Sequence, residues 1–469
     1  LLGGAAGLLL AVWINRLLLA LKPAVDLPLV LDLRLDWRVM GAAFALSLLT
    51  GVLFGLAPAW QSARPDVVVA LKDEARSPSR HASRLRNAFV VAQIALSFLL
   101  LVCAGLFIRA LSEGQKQFVG LDPERVQTVT YDPRFIGYDQ QRAQEFYRQL
   151  LERARALPGV ESTSLAAGVT VGGGGRNTDF EVARKDKRLE LPVVHFNIVS
   201  PGYLATMKIR LLQGRDFSAA DRTPGVAIID ETAAQQWFAG ADVLGQRLIH
   251  GKTEFEIIGI AERANQRLSG VTAQPFIYLP YAPSIGDLFG TRMILHVRTA
   301  LPSPEIYAAL RREVGQLDRQ IAAQYPMSLA DYIRLATLPQ RLVAALAGVL
   351  GLLGLALAAI GIFGVISYVV TQRTHEIGIR MALGAQPRDV LGLILRQGMS
   401  VIASGLTIGL LVAWATTRLL TALLYGVSAT DPLTFGGVAL LLLSIALLAC
   451  YLPARKATKV DPLIALRHE

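Results

Sequence analysis

Few residues in this chain stand at spacings that could do chemistry. Gly251-Lys252-Thr253 comes nearest to a phosphate-binding loop, in which backbone N–H groups and a lysine cradle phosphates ahead of a helix. The position five residues before Gly251 is Gln246, and Gly245 lies one too far. Gly251-Lys252 therefore reads as a turn between strands. The run Gly172 to Gly175 has no helix start behind it and reads as a flexible loop. His81, His195, His250, His296, His375 and His468 lack metal-ligand spacing, and no Gly-x-Ser-x-Gly elbow occurs. Cys103 and Cys450 both sit in apolar runs, which argues against a disulfide framework or a zinc site. No ATPase motif, metal site or cofactor site is expected in this chain, which reads as non-catalytic.

The elements that would position any site are mostly membrane helices. The 469 residues are 53% hydrophobic and 18% charged, and mean hydropathy is +0.43. Average globular chains carry about 25% charged residues. The net charge of +11 is uneven. Residues 111–340 hold 26 Lys/Arg against 25 Asp/Glu, so the excess lies in the apolar parts. That distribution favours membrane topology over nucleic acid.

A bilayer core is crossed by about 20 apolar residues in a helix. Six windows qualify: 1–21, 39–63, 87–108, 342–372, 397–417 and 432–454. The segments 61–87 and 371–397 and the tail after 454 carry clustered Lys/Arg, whereas 425–433 carries none. Positive charge marks the cytoplasmic side, so 111–340 is placed outside. Arg16 and Arg418 are read as snorkelling toward the outer surface. The run 342–372 exceeds a bilayer as a helix; it either tilts strongly or forms a stalk to the outer domain. Within that domain, 140–157 is amphipathic, with Phe146, Leu150, Leu151 and Leu157 toward one face. Strands are expected at 226–229, 254–260, 276–279 and 293–297, and a helix at 304–317. The outer domain is therefore α+β.

The chain repeats itself. Residues 36–74 align without gaps on 431–469, pairing Asp36 with Asp431, Pro58 with Pro453 and Asp66 with Asp461. Residues 3–21 align on 405–423. Gly3-x-x-x-Gly7 and Gly405-x-x-x-Gly409 recur at one repeat position, and Gly51-x-x-x-Gly55 adds a third. Small residues at this spacing let helices approach closely, so these six glycines are expected at helix-packing contacts.

The stretch Gln372-Arg373-Thr374-His375-Glu376-Ile377-Gly378-Ile379-Arg380-Met381-Ala382-Leu383-Gly384-Ala385 resembles the cytoplasmic signature of MacB/FtsX-type ABC transporter permeases. The tail, with Pro453, Asp461-Pro462 and Ala465-Leu466-Arg467, resembles the family's carboxyl end. Val199-Ser200-Pro201-Gly202-Tyr203, Gly214-Arg215-Asp216-Phe217 and Ile277-Tyr278-Leu279-Pro280-Tyr281 resemble the MacB-like periplasmic core domain. Leu85-Arg86-Asn87, Gln93 to Ser97 and Ala104-Gly105-Leu106 resemble the start of the second half in duplicated permeases of this family, the acidobacterial orphan type without an adjacent ATPase gene.

The resemblance implies an α-helical inner-membrane protein, multi-pass, with six predicted transmembrane helices and a large extracytoplasmic α+β MacB-like core domain. Its expected parts are a partial first FtsX-like permease domain (1–74), a linker and helix (75–111), the outer domain (112–340) and a second FtsX-like domain (341–469). The chain begins in an apolar run, without Met. A complete duplicated permease would have eight spans and two outer domains, so an amino-terminal truncation is expected, with the missing first half as pseudo-dimeric partner. The implied activity is efflux or envelope transport by mechanotransmission, with ATP bound by a separate cytoplasmic ATPase subunit. Glu376, Ile377, Gly378, Arg380, Met381, Gly384 and Ala385 are the expected ATPase-coupling residues, against the alternative of an interfacial helix bound only to lipid headgroups. A periplasmic adaptor or outer-membrane component is a further expected partner; nucleic acid is not. The competing reading is an ATPase-independent membrane scaffold or sensor.

Overall fold

The computed structural model describes residues 2–20, 37–62, 80–116, 122–169, 176–183, 188–218, 220–221, 225–238, 242–263, 275–281, 292–372, 379, 386–420, 424 and 427–457. Six long helices carry the apolar sequence: α1 (Leu2–Ala20), α2 (Trp37–Ser62), α3 (Arg80–Lys116), α9 (Leu338–Gln372), α10 (Pro387–Leu419) and α11 (Pro432–Ala457). Four of them are long and apolar enough to cross a membrane, over Asn87–Glu113, Leu338–Thr371, Leu391–Leu419 and Pro432–Arg455. Among the described residues, four of the six expected spans thus meet the length and apolarity of a crossing helix. In α1 and α2 the apolar stretches, Gly3–Leu17 and Met40–Leu49, are shorter. The aligned segments 37–62 and 432–457 are both helical, in α2 and α11.

The outer domain lies between α3 and α9. Its strands are β1 (Val126–Tyr131), β2 (Val160–Ala166), β3 (Arg176–Ala183), β4 (Arg188–Val199), β5 (Leu211–Gly214), β6 (Gly225–Asp230), β7 (Arg247–His250), β8 (Thr253–Ala261), β9 (Phe276–Pro280), β10 (Met293–Thr299) and β11 (Gln324–Ser328). Its helices are α4 (Gln140–Arg155), α5 (Tyr203–Thr206), α6 (Glu231–Phe238), α7 (Ser303–Leu317) and α8 (Leu329–Ala336). All four strands and both helices read from the sequence form at the expected places.

The strand order β11-β1-β10-β2 is antiparallel throughout. With α4 between β1 and β2, and α7 between β10 and β11, this is a ferredoxin-like βαββαβ sheet. Residues 167–292 are inserted at its central connection and build a second unit. There β4, β3, β7, β8, β6 and β9 pair in sequence, and β9 returns to pair in parallel with β4, which closes a small barrel. Closure leaves these six strands no free edge. Its interior is packed by Phe180, Phe196, Phe255, Leu248, Ile257 and Ile229, with Phe180 edge-on to Phe196 at 6.0 Å between ring centroids.

Sheet and barrel meet through one backbone pairing of β2 with β4, Ala166 opposite Val199. Side chains extend the ladder. Asn197 accepts from the Gly168 N–H (3.1 Å) and donates to its carbonyl (2.9 Å), and Ser200 Oγ accepts from the Leu165 N–H (2.9 Å). One face of the sheet packs on α4 and α7 through Val129, Tyr131, Leu295 and Val297. The other face, with Val126, Ile294, Tyr203 and Ile333, joins a buried cluster that continues into Phe107 and Ala110 of α3.

Candidate coupling site

What connects the outer sheet to the bilayer is nearly unbroken helix. β11 ends at Ser328, whose hydroxyl oxygen accepts from the Asp331 N–H (3.0 Å) and caps α8. Arg334 donates to Asp331 (3.0 Å) and across to Glu124 (2.9 Å), just ahead of β1. These half-exposed ion pairs set geometry more than stability. Thr337 then bonds back to the Ile333 carbonyl through both N–H (3.0 Å) and Oγ1 (2.8 Å), and α9 starts at the next residue. α9 has 35 residues and α3 has 37. At 1.5 Å per residue each exceeds roughly 50 Å, against a hydrocarbon core of about 30 Å. Both lengths are compatible with a stalk or with a strongly tilted span.

Between α3 and α9 the contact is made by small residues. A Cβ added at Gly351 would lie 2.9 Å from Leu101 Cγ, at Gly354 2.5 Å from Ser97 Oγ, and at Gly361 3.3 Å from Val90 Cγ2. Ser97 is buried and donates to the Gln93 carbonyl (2.8 Å). The sequence reading passed over this stripe because its glycines are three and seven apart rather than four. Spacings that keep one helical face would have revealed it.

The glycines that were singled out fall differently. An added Cβ at Gly405 would meet Ile94 Cβ at 2.8 Å, and at Gly409 Phe98 Cβ at 3.0 Å, so α10 also closes on α3. Among the described residues, an added Cβ at Gly3 or Gly7 would meet no neighbouring element within 4 Å. In α1 the close approach belongs to Gly4, 3.1 Å from Ser47 Oγ. Gly51 and Gly55 lie within α2. At the outer end, Gly105 and Arg109 of α3 face the start of α11. An added Cβ at Gly105 would sit 2.8 Å from Thr434 Cγ2. Arg109 pairs with Asp431, which caps α11 by accepting from the Thr434 N–H (2.9 Å) and Oγ1 (2.6 Å).

The expected ATPase-coupling residues Glu376, Ile377, Gly378, Arg380, Met381, Gly384 and Ala385 lie outside the described residues. Their neighbour Ile379 is helical and exposed. α10 starts at Pro387, whose fixed φ suits a first helical turn, with the Gln386 N–H donating to Asp389 Oδ2 (3.1 Å).

Other chemistry candidates resolve into structure. Gly251 takes φ +59 in the turn between β7 and β8, a conformation that favours glycine. Arg418 lies over the Trp414 ring at 3.7 Å. His296 is fully buried, edge-on to Tyr203 at 5.5 Å, and burial pushes its pKa down to about 4. Asp230 ends β6 and accepts from the Ala233 N–H (2.8 Å) and the Phe276 N–H (3.1 Å); burial raises its pKa to about 6 despite those donors. Neither residue was visible as special in the sequence. Gly172 to Gly175 lie outside the described residues.

Long helices tied to an outer α+β domain match two family models. The MacB-like periplasmic core domain covers residues 88–317, and the FtsX-like permease C-terminal covers residues 348–462. The chain belongs to the MacB/FtsX-like permease family. It is similar to the macrolide export ATP-binding/permease protein MacB of Marinobacter nauticus, with 25% identity over 85% of this chain and 61% of the relative. The protein of the same name in Escherichia coli is 27% identical over 59% of this chain and 44% of the relative. This MacB/FtsX-like chain therefore spans less than two thirds of these relatives' length. Among solved structures, the periplasmic region of MacB from Actinobacillus actinomycetemcomitans aligns with TM-score 0.32 and 15% identity, over 45% of this chain and 92% of that one.

Proposed function

We propose that this chain is the permease subunit of an ABC-type efflux or cell-envelope machine, and that it transmits ATP hydrolysis by a separate cytoplasmic ATPase to its extracytoplasmic domain. The observation that carries this reading is the pair α3 and α9. Each is a single helix longer than a bilayer core, and they are packed on each other by glycine. A displacement applied at residues 372–387 has a stiff path to the sheet. In this reading α1 and α2 complete six spans, the outer domain faces away from the cytoplasm, and the chain is non-catalytic, with ATP bound elsewhere. The names of the relatives join an ATP-binding function to a permease, and the matches on this chain are to the core and permease models. The sequence repeat, helical in both aligned segments of α2 and α11, supports a duplicated origin, with a pseudo-dimeric arrangement of two halves in the inner membrane. A periplasmic adaptor or outer-membrane component would dock on the outer domain.

The test is purification from native membranes. An ATPase subunit should co-purify, and its vanadate-sensitive hydrolysis should be stimulated by this chain. If no ATPase accompanies the chain, the ATPase-independent scaffold or sensor replaces this reading.

A further inference from the structure

The inserted barrel joins the four-stranded sheet at an edge that gathers arginines. β1 ends beside the start of β10, with Tyr131 opposite Met293 in the ladder. The next residues out, Asp132 and Arg292, therefore stand across from each other just beyond the last pair. Arg292 is also the last residue of the insertion. Arg134 lies in the short helical turn after β1 and donates to Asp132 through Nε (2.8 Å) and Nη2 (2.6 Å). The third guanidinium comes from the barrel: Arg176 opens β3, opposite Phe196 of β4.

The three are not equally neutralised. Asp132 is buried, and the Arg134 side chain holds its carboxyl below the usual carboxylate range, with the charge of Arg292 adding to the effect. Asp132 and Arg134 thus answer each other. Arg292 is exposed and, among the described residues, makes no hydrogen bond or ion pair. Arg176 is half-buried; desolvation, and then the like charges of Arg292 and Arg134, push its pKa down. Like charges that share a partly desolvated site repel more strongly than they would in water. An anion between them removes that cost. Guanidinium forks match phosphate oxygens two at a time, and ligand sites favour the boundary between folded units.

We propose that the seam between sheet and barrel binds a phosphate or phosphomonoester dianion, held by Arg176 of the barrel and Arg292 at the crossing, with the Arg134–Asp132 pair beside them. Occupancy would tie the first strand of the barrel to the end of β1 through one ion. Binding is independent of any ATPase and is read on the full chain alone.

The probe is radiolabelled inorganic phosphate, followed by equilibrium dialysis against the full chain in dodecyl maltoside at constant ionic strength. Binding should saturate at one phosphate per chain. Displacement by glycerol phosphate at similar concentration assigns the site to phosphomonoesters; displacement by unlabelled phosphate alone assigns it to the free ion. Arg292→Gln should raise the half-saturating concentration roughly ten-fold, the loss of one charge-assisted contact, and Arg292→Lys should keep part of the affinity. Arg176→Gln should act in the same direction; if it does not fold, Arg292→Gln carries the test, because Arg292 lies beyond the paired residues of β10. Arg312→Gln, at an exposed position of α7, should change nothing. No saturable binding, equal displacement by chloride at the same concentration, or an affinity indifferent to Arg292→Gln in a folded chain would overturn the proposal.

Discussion

Tyr147 shows how much one hydroxyl can hold. It donates to the Tyr131 carbonyl (2.7 Å) and accepts from the Met293 N–H (3.1 Å), tying α4 to the end of β1 and the start of β10. Tyr147→Phe keeps the ring and strands two buried backbone groups, so it should cost about 1–3 kcal/mol, seen as a lower denaturation midpoint of the full chain. Asp230 offers a test of pH dependence. Its folded pKa is raised to about 6 by burial, above the ordinary carboxylate value near 3.9. The native state then favours the protonated acid: stability is greatest at and below the ordinary value and is lost as pH rises through about 6. Asp230→Asn keeps the oxygen that accepts from Ala233 and Phe276. The wild type minus variant difference in stability should therefore fall by roughly 2–3 kcal/mol at most between pH 4 and pH 7; a flat difference would refute it. The helix around Tyr147 was legible from Phe146 and Leu150, spaced by four, but its role was not. A hydrogen bond between residues 146 apart in the chain leaves no periodic trace.

At the scale of elements, the α3–α9 seam predicts a graded series. Gly354→Leu forces a side chain onto the buried Ser97, and overpacking costs about 1–3 kcal/mol or more. Gly348→Ala adds only an ordinary contact at 3.8 Å to Ala104. The melting temperature of the solubilised chain should fall for the first and hold for the second. Arg109→Asp and Asp431→Arg should each weaken the grip of α3 on α11. The double swap should recover part of the loss, a coupling of about 0.5–3 kcal/mol in a double-mutant cycle. Legibility among elements followed burial. β6, β8, β9 and β10 announced themselves as compact apolar runs. β1, read Val-Gln-Thr-Val-Thr-Tyr, is buried at all six positions yet half polar: Gln127 accepts from Ser303 and Tyr307 of α7, and Thr128 donates to the Met327 carbonyl of β11. The cross-strand register that makes them tolerable is invisible in one strand's composition.

For the whole molecule, hydropathy and charge asymmetry were enough to point to the membrane class and a large outer domain, and the motifs at 372–385, in the tail and in the outer domain pointed to the family. Ferredoxin-like topology and barrel closure were not legible, since the first depends on pairings between segments more than 100 residues apart and the second on β4 meeting β9, 81 residues on. The cytoplasmic stretch makes the molecule-wide prediction. A photo-crosslinker at Met381 should capture an ATPase subunit in membranes that contain the matching one, and a scaffold would yield no such adduct. The inserted barrel also constrains how the protein is made. β1 and β2 emerge from the ribosome well before β10 and β11, with residues 167–292 between them. The four-stranded sheet cannot close until that whole insertion has been synthesised and exported. α9 follows β11 after only α8 and Thr337, so its insertion into the bilayer draws the last strand against the first. Biogenesis is thus expected to leave the export machinery holding an unfinished sheet, in need of chaperoning on the far side of the membrane, until the second of the four long apolar helices arrives.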